Sequence, residues 1–303
     1  MEIKSYIITG PTASGKSDFA HALAKRANGV IINADAVQVY RGIENISASP
    51  LAGLPHCRRS DNLIDEVPYR LYSITAPDAP LSAGAWAKMA RAEYDAALSA
   101  GKTPIFVGGA GFYLRALTVG FSDIPEIAPE FRDAARAMQN GYEFLKQHDP
   151  QWAVKISPND RQRIARGIEV FLATGRTLSE FQSRPNIRIL PEIPHKILIL
   201  PPKEVVLERI ARRMKILDVN SENEVRAIMN LPRDLPVMRA DGVLEISKYL
   251  RGEISRDEAM NQWRRKIERG NCKRQYTWFR TQFSADAVID HLPTDADIGC
   301  FLI

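Results

Sequence analysis

The stretch "YIITGPTASGKSDFA", Tyr6–Ala20, decides how the chain is read. Its centre, Gly10-Pro11-Thr12-Ala13-Ser14-Gly15-Lys16-Ser17, fits the pattern G-x-x-x-x-G-K-[ST]. The apolar residues before it read as a short buried strand, and those after it as a helix to about Arg26. Glycines let the backbone turn so that its N–H groups converge on one anion. Lys16 adds a cation, the Ser17 hydroxyl can ligate Mg2+, and the helix contributes its N-terminal dipole. A ligand-free glycine turn would satisfy the pattern too. The strand before and the helix after are the context that a phosphate site requires. The loop specifies a phosphate chain and does not name the molecule that carries it.

A nucleotide-hydrolysing enzyme normally sets an aspartate at the end of a nearby apolar strand to hold magnesium. The best strand for that, "TPIFV" at 103–107, runs into Gly108-Gly109-Ala110, where no carboxylate stands. The carboxylate is instead Asp35, just after the apolar run "GVIIN" at 29–33. In a parallel sheet that strand end opens on the same edge as the phosphate loop. Asp35 there could ligate a metal or accept a proton from a nucleophile, or it could merely cap the turn before Ala36.

Working outward, residues 41–80 are rich in proline and turn formers and read as loops with short elements. Ser82 caps a helix to about Ala100, a strand follows at 103–109, and a short helix at 112–117. This alternation predicts an α/β fold, a core like that of the P-loop NTPases with a parallel sheet and helices on its faces. From about Phe121 to Arg184 no strand is visible, and helical spacing recurs near 129–140, 142–148, 160–174 and 177–183. The chain therefore divides into a core, 1–120 and 191–303, and an all-helical insertion, 121–190. "HKILILPP", 195–202, returns to strand character, and helices are expected near 203–217, 221–230, 240–251 and 255–283, before a closing strand and tail.

Composition sets outer limits. The 303 residues are 45% hydrophobic and 25% charged, enough for a globular core. No apolar run is long enough to span a bilayer, and the N-terminus lacks the features of a signal peptide. Cys57, Cys272 and Cys300 are far apart and the five histidines are scattered, so neither a disulfide framework nor a transition-metal site is expected. A reducing, cytoplasmic setting is the simplest expectation. The net charge of +5 is mild, but Lys and Arg concentrate between Arg209 and Arg280 and on the helix after Asn159. On that helix Ile164, Ile168, Phe171 and Leu172 form an apolar stripe, with Gln162, Arg166 and Glu169 opposite.

The stretches "GPTASGKS", "DAVQVY", "GKTPIFVGGAGFYLRAL", "NDRQRIARGIEVFLATGRTLSEF" and "CKRQYTWFR" occur in this order, from the first strand to about Arg280. Together they resemble the tRNA dimethylallyltransferase family. The loop alone is widespread; the later motifs in combination are far more specific. The resemblance implies that the loop holds the diphosphate of dimethylallyl diphosphate rather than ATP. It implies that the dimethylallyl group passes to the exocyclic amine of an adenine beside the anticodon, with Mg2+ assisting. Asp35, Lys16 and Thr12 would then be catalytic, with Asp35 as general base. Gly10 to Ser17 would cradle the diphosphate, helped by Arg209 of the pair Arg209 and Arg213. Asp35, Ala36, Val37, Gln38 and Ala110 would meet the target adenine. Gln162, Arg163, Arg166, Lys273 and Arg274 would grip the anticodon stem-loop. Trp278 reads as core, and nothing requires more than a monomer.

Three positions depart from the family pattern. Ala36 stands where Ser is usual, Ala110 where Thr is usual, and Ser49 in "ISASP" where Lys is usual; the segment 55–75 also matches poorly. Each lost hydroxyl removes one hydrogen bond, worth ~1 kcal/mol. The loop and Asp35 remain, so an active enzyme is expected. Two rival readings stay open: a nucleotide or small-molecule kinase with ATP in the loop, and a tRNA-binding protein that has lost its chemistry.

Overall fold

The computed structural model describes residues 4–53, 63–214 and 219–302. Cys57 and much of the poorly matching segment 55–75 lie outside the described residues. The described residues fall into two compact units, one running to Thr118 and resuming at Leu190, the other Val119–Ile189.

The larger unit is built on strands β1 (Tyr6–Thr9), β2 (Gly29–Asn33), β3 (Leu63–Ile64), β4 (Val67–Arg70), β5 (Thr103–Gly108), β6 (His195–Ile199) and β7 (Ala287–Ile289). They form one sheet in the order β3-β4-β2-β5-β1-β6-β7. Every neighbouring pair is parallel except β3 with β4. β1 lies between β5 and β6, with Ile8 level with Val107 on one side and Ile197 on the other. A parallel sheet is covered on both faces, which is why its strands read as unbroken apolar runs. Helix α1 (Lys16–Arg26) lays Phe19, Ala20 and Leu23 on the face that carries Ile8, Ile31 and Ile105. On the other face, helix α2 (Ala83–Ser99) stacks Tyr94 on Phe106 and donates from Trp86 Nε1 to the Asn33 carbonyl at 3.1 Å. Ser82 caps α2 as expected, its hydroxyl accepting from Ala85 N at 3.1 Å. Helix α3 (Gly111–Thr118) follows β5.

The described part of 41–80 agrees with the reading as loops with short elements. It contains the hairpin β3–β4, whose turn residues Asp65 and Glu66 have φ of 45° and 68°. Such left-handed pairs match the twist of a tight hairpin. Four residues with a proline inside gave too little pattern to recognise β4.

Val119–Ile189 has its own interior. It comprises α4 (Pro129–Ala137), α5 (Gly141–His148), α6 (Pro150–Ala153), α7 (Arg161–Thr174) and α8 (Leu178–Gln182). Leu145, Ala153, Ile164 and Ile168 form one cluster, and Ile127, Val170, Leu178 and Phe181 another. The buried arc of α7 is centred on Ile164, Gly167, Ile168 and Val170. Leu172 falls at its rim and is exposed, so the apolar stripe predicted through Leu172 is corrected by one step around the helix. A Cβ on Gly167 would stand 2.8 Å from Trp152 Cδ1, so only glycine allows this packing.

After β6 come α9 (Lys203–Met214), α10 (Val219–Ile228), a 3₁₀ turn at Pro236–Arg239, α11 (Val243–Leu250) and α12 (Arg256–Lys266). The helix expected over 255–283 is present and unbroken, and its winding changes along it: α12 passes into a π-helical segment, Ile267–Cys272, and then into α13 (Lys273–Gln282). The tail holds β7 and a short capped helix, α14 (Asp295–Gly299). No described helix is long and apolar enough to cross a membrane.

Candidate active site

The phosphate loop joins β1 to α1, and its shape is fixed by close approaches. A Cβ on Gly10 would lie 2.2 Å from the Ile199 carbonyl oxygen, so β6 leaves no room there for a side chain. Gly15 has φ 93°, the left-handed conformation that glycine adopts without strain. Ala13 is also left-handed, at φ 61°. Ser14 is fully buried, and its hydroxyl has no partner among the described residues. Lys16 folds back to donate to the Pro11 carbonyl at 3.2 Å. Ser17 is exposed at the loop mouth. Arg209 of α9 donates from Nε to the Ala13 carbonyl at 2.9 Å and pairs with Asp18 at 3.8 Å. Thr12 N donates to Gln275 Oε1 of α13 at 3.0 Å.

Asp35 stands where β2 ends. Asn33 is fully buried and holds it: Asp35 N donates to Asn33 Oδ1 at 2.8 Å, and Asn33 Nδ2 donates to the Asp35 and Leu71 carbonyls at 3.0 and 3.1 Å. Asp35 Oδ1 caps a turn, accepting from Val37 N at 2.9 Å and Gln38 N at 3.4 Å. Oδ2 has no hydrogen-bond partner among the described residues. The turn-capping reading made from sequence accounts for Oδ1 alone, and Oδ2 is left open.

Gly108 brings the strand ends together. A Cβ there would sit 2.1 Å from the Ala34 carbonyl group, so β5 passes against the residue before Asp35. Thr9 Oγ1 donates to the Gly108 carbonyl at 2.7 Å, which ties in β1. The ends of β1, β2 and β5 are therefore interlocked, and the loop and Asp35 share one edge.

The charges respond to one another. Desolvation pulls the Lys16 ammonium pKa down; Asp35 opposes that pull and Arg213 adds to it. Burial also lowers Arg213, with Asp35 and Asp241 opposing. Lys16, Asp35 and Arg213 form a group of two cations about one carboxylate. The phenols of Tyr72 and Tyr113 are pushed up chiefly by burial, with Asp35 among the minor causes. Asp35 is half-buried, and the rings of Tyr72 and Tyr113 are buried.

Gln38 donates from Nε2 to the Ser47 and Ala48 carbonyls at 3.1 and 3.0 Å, which leaves its Oε1 without a partner among the described residues. Ala36 is exposed, while Val37 and Ala110 are half-buried. Ser49 is buried and accepts from Leu51 N at 3.2 Å, a turn-forming role in place of a lysine's charge. Lys273 and Arg274 are exposed on α13. Trp278, expected in the core, is half-buried against Gly111 and Phe283.

On the smaller unit, Asp160 caps α7 by accepting from Arg163 N at 3.1 Å and pairs with Arg163 Nε at 3.4 Å. Arg166 pairs with Glu169 at 2.6 Å. Gln162 is exposed. Among the described residues no group of three acidic, histidine or cysteine side chains is placed to hold a metal ion.

Two residues were missed as site members. Gln275 carries no local signal within "CKRQYTWFR"; its neighbours Tyr276 and Phe279 are buried, which sets it at the rim of the inward face. Arg213 was read only as the partner of Arg209. Arg209 bonds to the loop, whereas Arg213 is charge-coupled to Asp35 and Lys16.

The family described as IPP transferase matches residues 38–282, and that described as isopentenyl transferase matches residues 3–59. A tRNA dimethylallyltransferase of Zymomonas mobilis is 41% identical over 282 residues, covering 91% of this chain and 87% of the relative. One from Rhizobium johnstonii is 40% identical over 290 residues, covering 92% and 94%. The crystal structure of a tRNA isopentenylpyrophosphate transferase from Bacillus halodurans superposes with a TM-score of 0.65 at 27% identity, covering 99% of this chain and 95% of that one.

Proposed function

The chain belongs to the IPP transferase family, and we propose that it moves a dimethylallyl group from dimethylallyl diphosphate to the exocyclic amine of the adenine on the 3′ side of a tRNA anticodon. It is a tRNA-modifying prenyltransferase. The observation that carries the finer reading is the shared edge of the loop and Asp35, with Lys16 and Arg213 charge-coupled to that carboxylate.

In the reaction the adenine nitrogen forms a bond to the first carbon of the dimethylallyl group, and the bond from that carbon to the diphosphate oxygen breaks. The proton leaves the nitrogen for Asp35 Oδ2, the oxygen that the turn does not use. Lys16 exchanges the Pro11 carbonyl for the diphosphate, and the backbone N–H groups of Ala13, Gly15, Lys16 and Ser17 stabilise the negative charge that grows on it. Thr12, Ala13, Ser14 and Gly15 supply loop backbone, and the orphaned Ser14 hydroxyl is a donor in waiting. The Ser17 hydroxyl, exposed at the mouth, fits a magnesium ligand. Bound there with the diphosphate, Mg2+ would neutralise part of the leaving group's charge. Gln38 Oε1 is free to accept from the adenine edge, beside Ala36, Val37 and Ala110. The base must be flipped out to arrive there, which a single-stranded loop makes easy.

Gln162, Arg163, Arg166, Lys273 and Arg274 are exposed or half-exposed and suit the phosphates and bases of the anticodon stem-loop. Every group used here comes from one chain, so a monomer suffices. The test combines the purified protein, Mg2+, dimethylallyl diphosphate and an unmodified anticodon stem-loop with adenines after the anticodon. The RNA should gain the mass of one dimethylallyl group. Binding without mass gain would favour the inactive RNA-binding reading, and transfer of label from the terminal phosphate of ATP would favour a kinase.

A further inference from the structure

We propose that Gln275 is a positioning residue that ties the phosphate loop to the RNA-facing helix α13, so that RNA docking and diphosphate binding strengthen each other. The inference rests on the reading of the loop as a diphosphate site and of α13 as an RNA contact.

Helix α13 is fastened to the sheet edge at three places. Gln275 Oε1 accepts from Thr12 N at 3.0 Å. Tyr276 OH donates to the Pro201 carbonyl, just past β6, at 2.6 Å. Trp278 packs on Gly111 so closely that a Cβ there would lie 2.8 Å from Trp278 Cε2. Of the three, only the glutamine contact reaches the loop itself. Its other end, Nε2, lies 3.2 Å from where a Cβ on Gly109 would be, so the amide spans from the loop to the end of β5.

The outer side of the same turn carries Lys273 and Arg274, both exposed. Arg274 does not hang free: its guanidinium donates to Asn271 Oδ1, and Asn271 Nδ2 donates to Asp241. Asp241 is charge-coupled to Arg213, and Arg213 to Asp35 and Lys16. Arg274 is thus tied through Asn271 to Asp241, and along the helix it is the neighbour of Gln275, which bonds to Thr12.

The π-helical segment Ile267–Cys272 sets the register. A π segment holds one residue more than an α-helical turn, and one residue rotates everything after it by about 100°. Continuous α-helix from α12 would have turned Gln275 away from Thr12. Such segments are frequent at functional sites.

The variant Gln275→Met keeps the length and removes both polar ends; Gln275→Ala is the substitute if the thioether packs poorly. Binding of Mg2+–pyrophosphate is measured by calorimetry with and without an unmodified anticodon stem-loop, and stem-loop binding is measured alone. The wild type should bind pyrophosphate, and bind it more tightly with the stem-loop present. The variant should bind pyrophosphate about three- to tenfold more weakly, as expected for one hydrogen bond. It should lose the stem-loop's effect and bind the stem-loop alone normally. In turnover the donor KM should rise while kcat changes little. Equal pyrophosphate affinity in variant and wild type would overturn the proposal. So would weakened stem-loop binding with unchanged pyrophosphate affinity, which would make Gln275 an RNA contact instead. A wild type that binds no pyrophosphate would sink the loop reading itself, a result distinct from either.

Discussion

At the sheet edge, Lys16 and Arg213 are held among buried groups and desolvation pulls both of their pKa values down. On α7, Arg163 and Arg166 stand toward solvent, paired with Asp160 and Glu169. Both regions are suited to phosphate, yet they are built differently. The edge is fixed by backbone contacts so close that Gly10 and Gly108 tolerate no methyl group. On α7 Arg163 pairs with Asp160 at the surface, a contact worth ~0–1 kcal/mol, while the Glu169 carboxylate opposite Arg166 is mostly buried. A surface pair that weak can be exchanged for an RNA phosphate at little cost. The edge holds one small ligand in one geometry, while α7 can follow a flexible polymer.

The sharpest way to break this contrast is Asp35→Asn. Asparagine keeps an acceptor for Val37 N, so the turn survives and only proton acceptance is lost. Single-turnover kinetics should show a fall of about 10²–10⁴-fold with stem-loop affinity unchanged. Near-normal turnover would remove Asp35 as the base. Next, Gly108→Ala should force β2 and β5 apart and cost about 1–3 kcal/mol, read as a lower denaturant midpoint; an unchanged midpoint would show the edge to be more pliant than described.

The third prediction uses pH. Because Lys16 has a lowered pKa in the folded protein, the unfolded chain holds that proton more tightly. Stability from this group should therefore rise with pH, between the lowered value and the ordinary 10.5. Diphosphate affinity should fall across the same window, since only the ammonium form pairs with the anion. Melting and calorimetry run side by side should give these opposite slopes in the wild type, and neither in Lys16→Met.

The smallest effect belongs to α7. Arg163→Ala and Arg166→Ala should each weaken stem-loop binding a few-fold and reduce its salt dependence by about one ion. The kcat at saturating RNA should not move. If kcat fell as well, α7 would be shaping the chemistry rather than holding the polymer.

Much of the edge was legible because its signals are local. The loop is eight consecutive residues, and the parallel alternation places Asp35 by topology alone. Gln275 was illegible as a loop contact because 263 residues separate it from Thr12 and because its facing depends on a π segment that periodicity does not reveal. The hairpin at Asp65 and Glu66 was hidden by its brevity and its proline. On α7 the apolar face was found, but its rim was placed one residue too far, since Leu172 is apolar in type and exposed in fact. Chemical type predicts burial at the centre of a helical face better than at its border.

The antiparallel bridge between Phe121 and Ile187 has a consequence for the order in which the chain assembles. Phe121 N donates to the Ile187 carbonyl at 3.1 Å and Ile187 N to the Phe121 carbonyl at 2.7 Å, closing the ends of the smaller unit on each other. β1 must find β6, pairing Tyr6 with His195 across most of the chain, and such distant pairings slow folding. A segment that forms its own interior early and joins its ends at this bridge shortens the effective loop that the β6 pairing must close. Refolding followed at both units should show the 119–189 segment becoming protected from hydrogen exchange before β6 does.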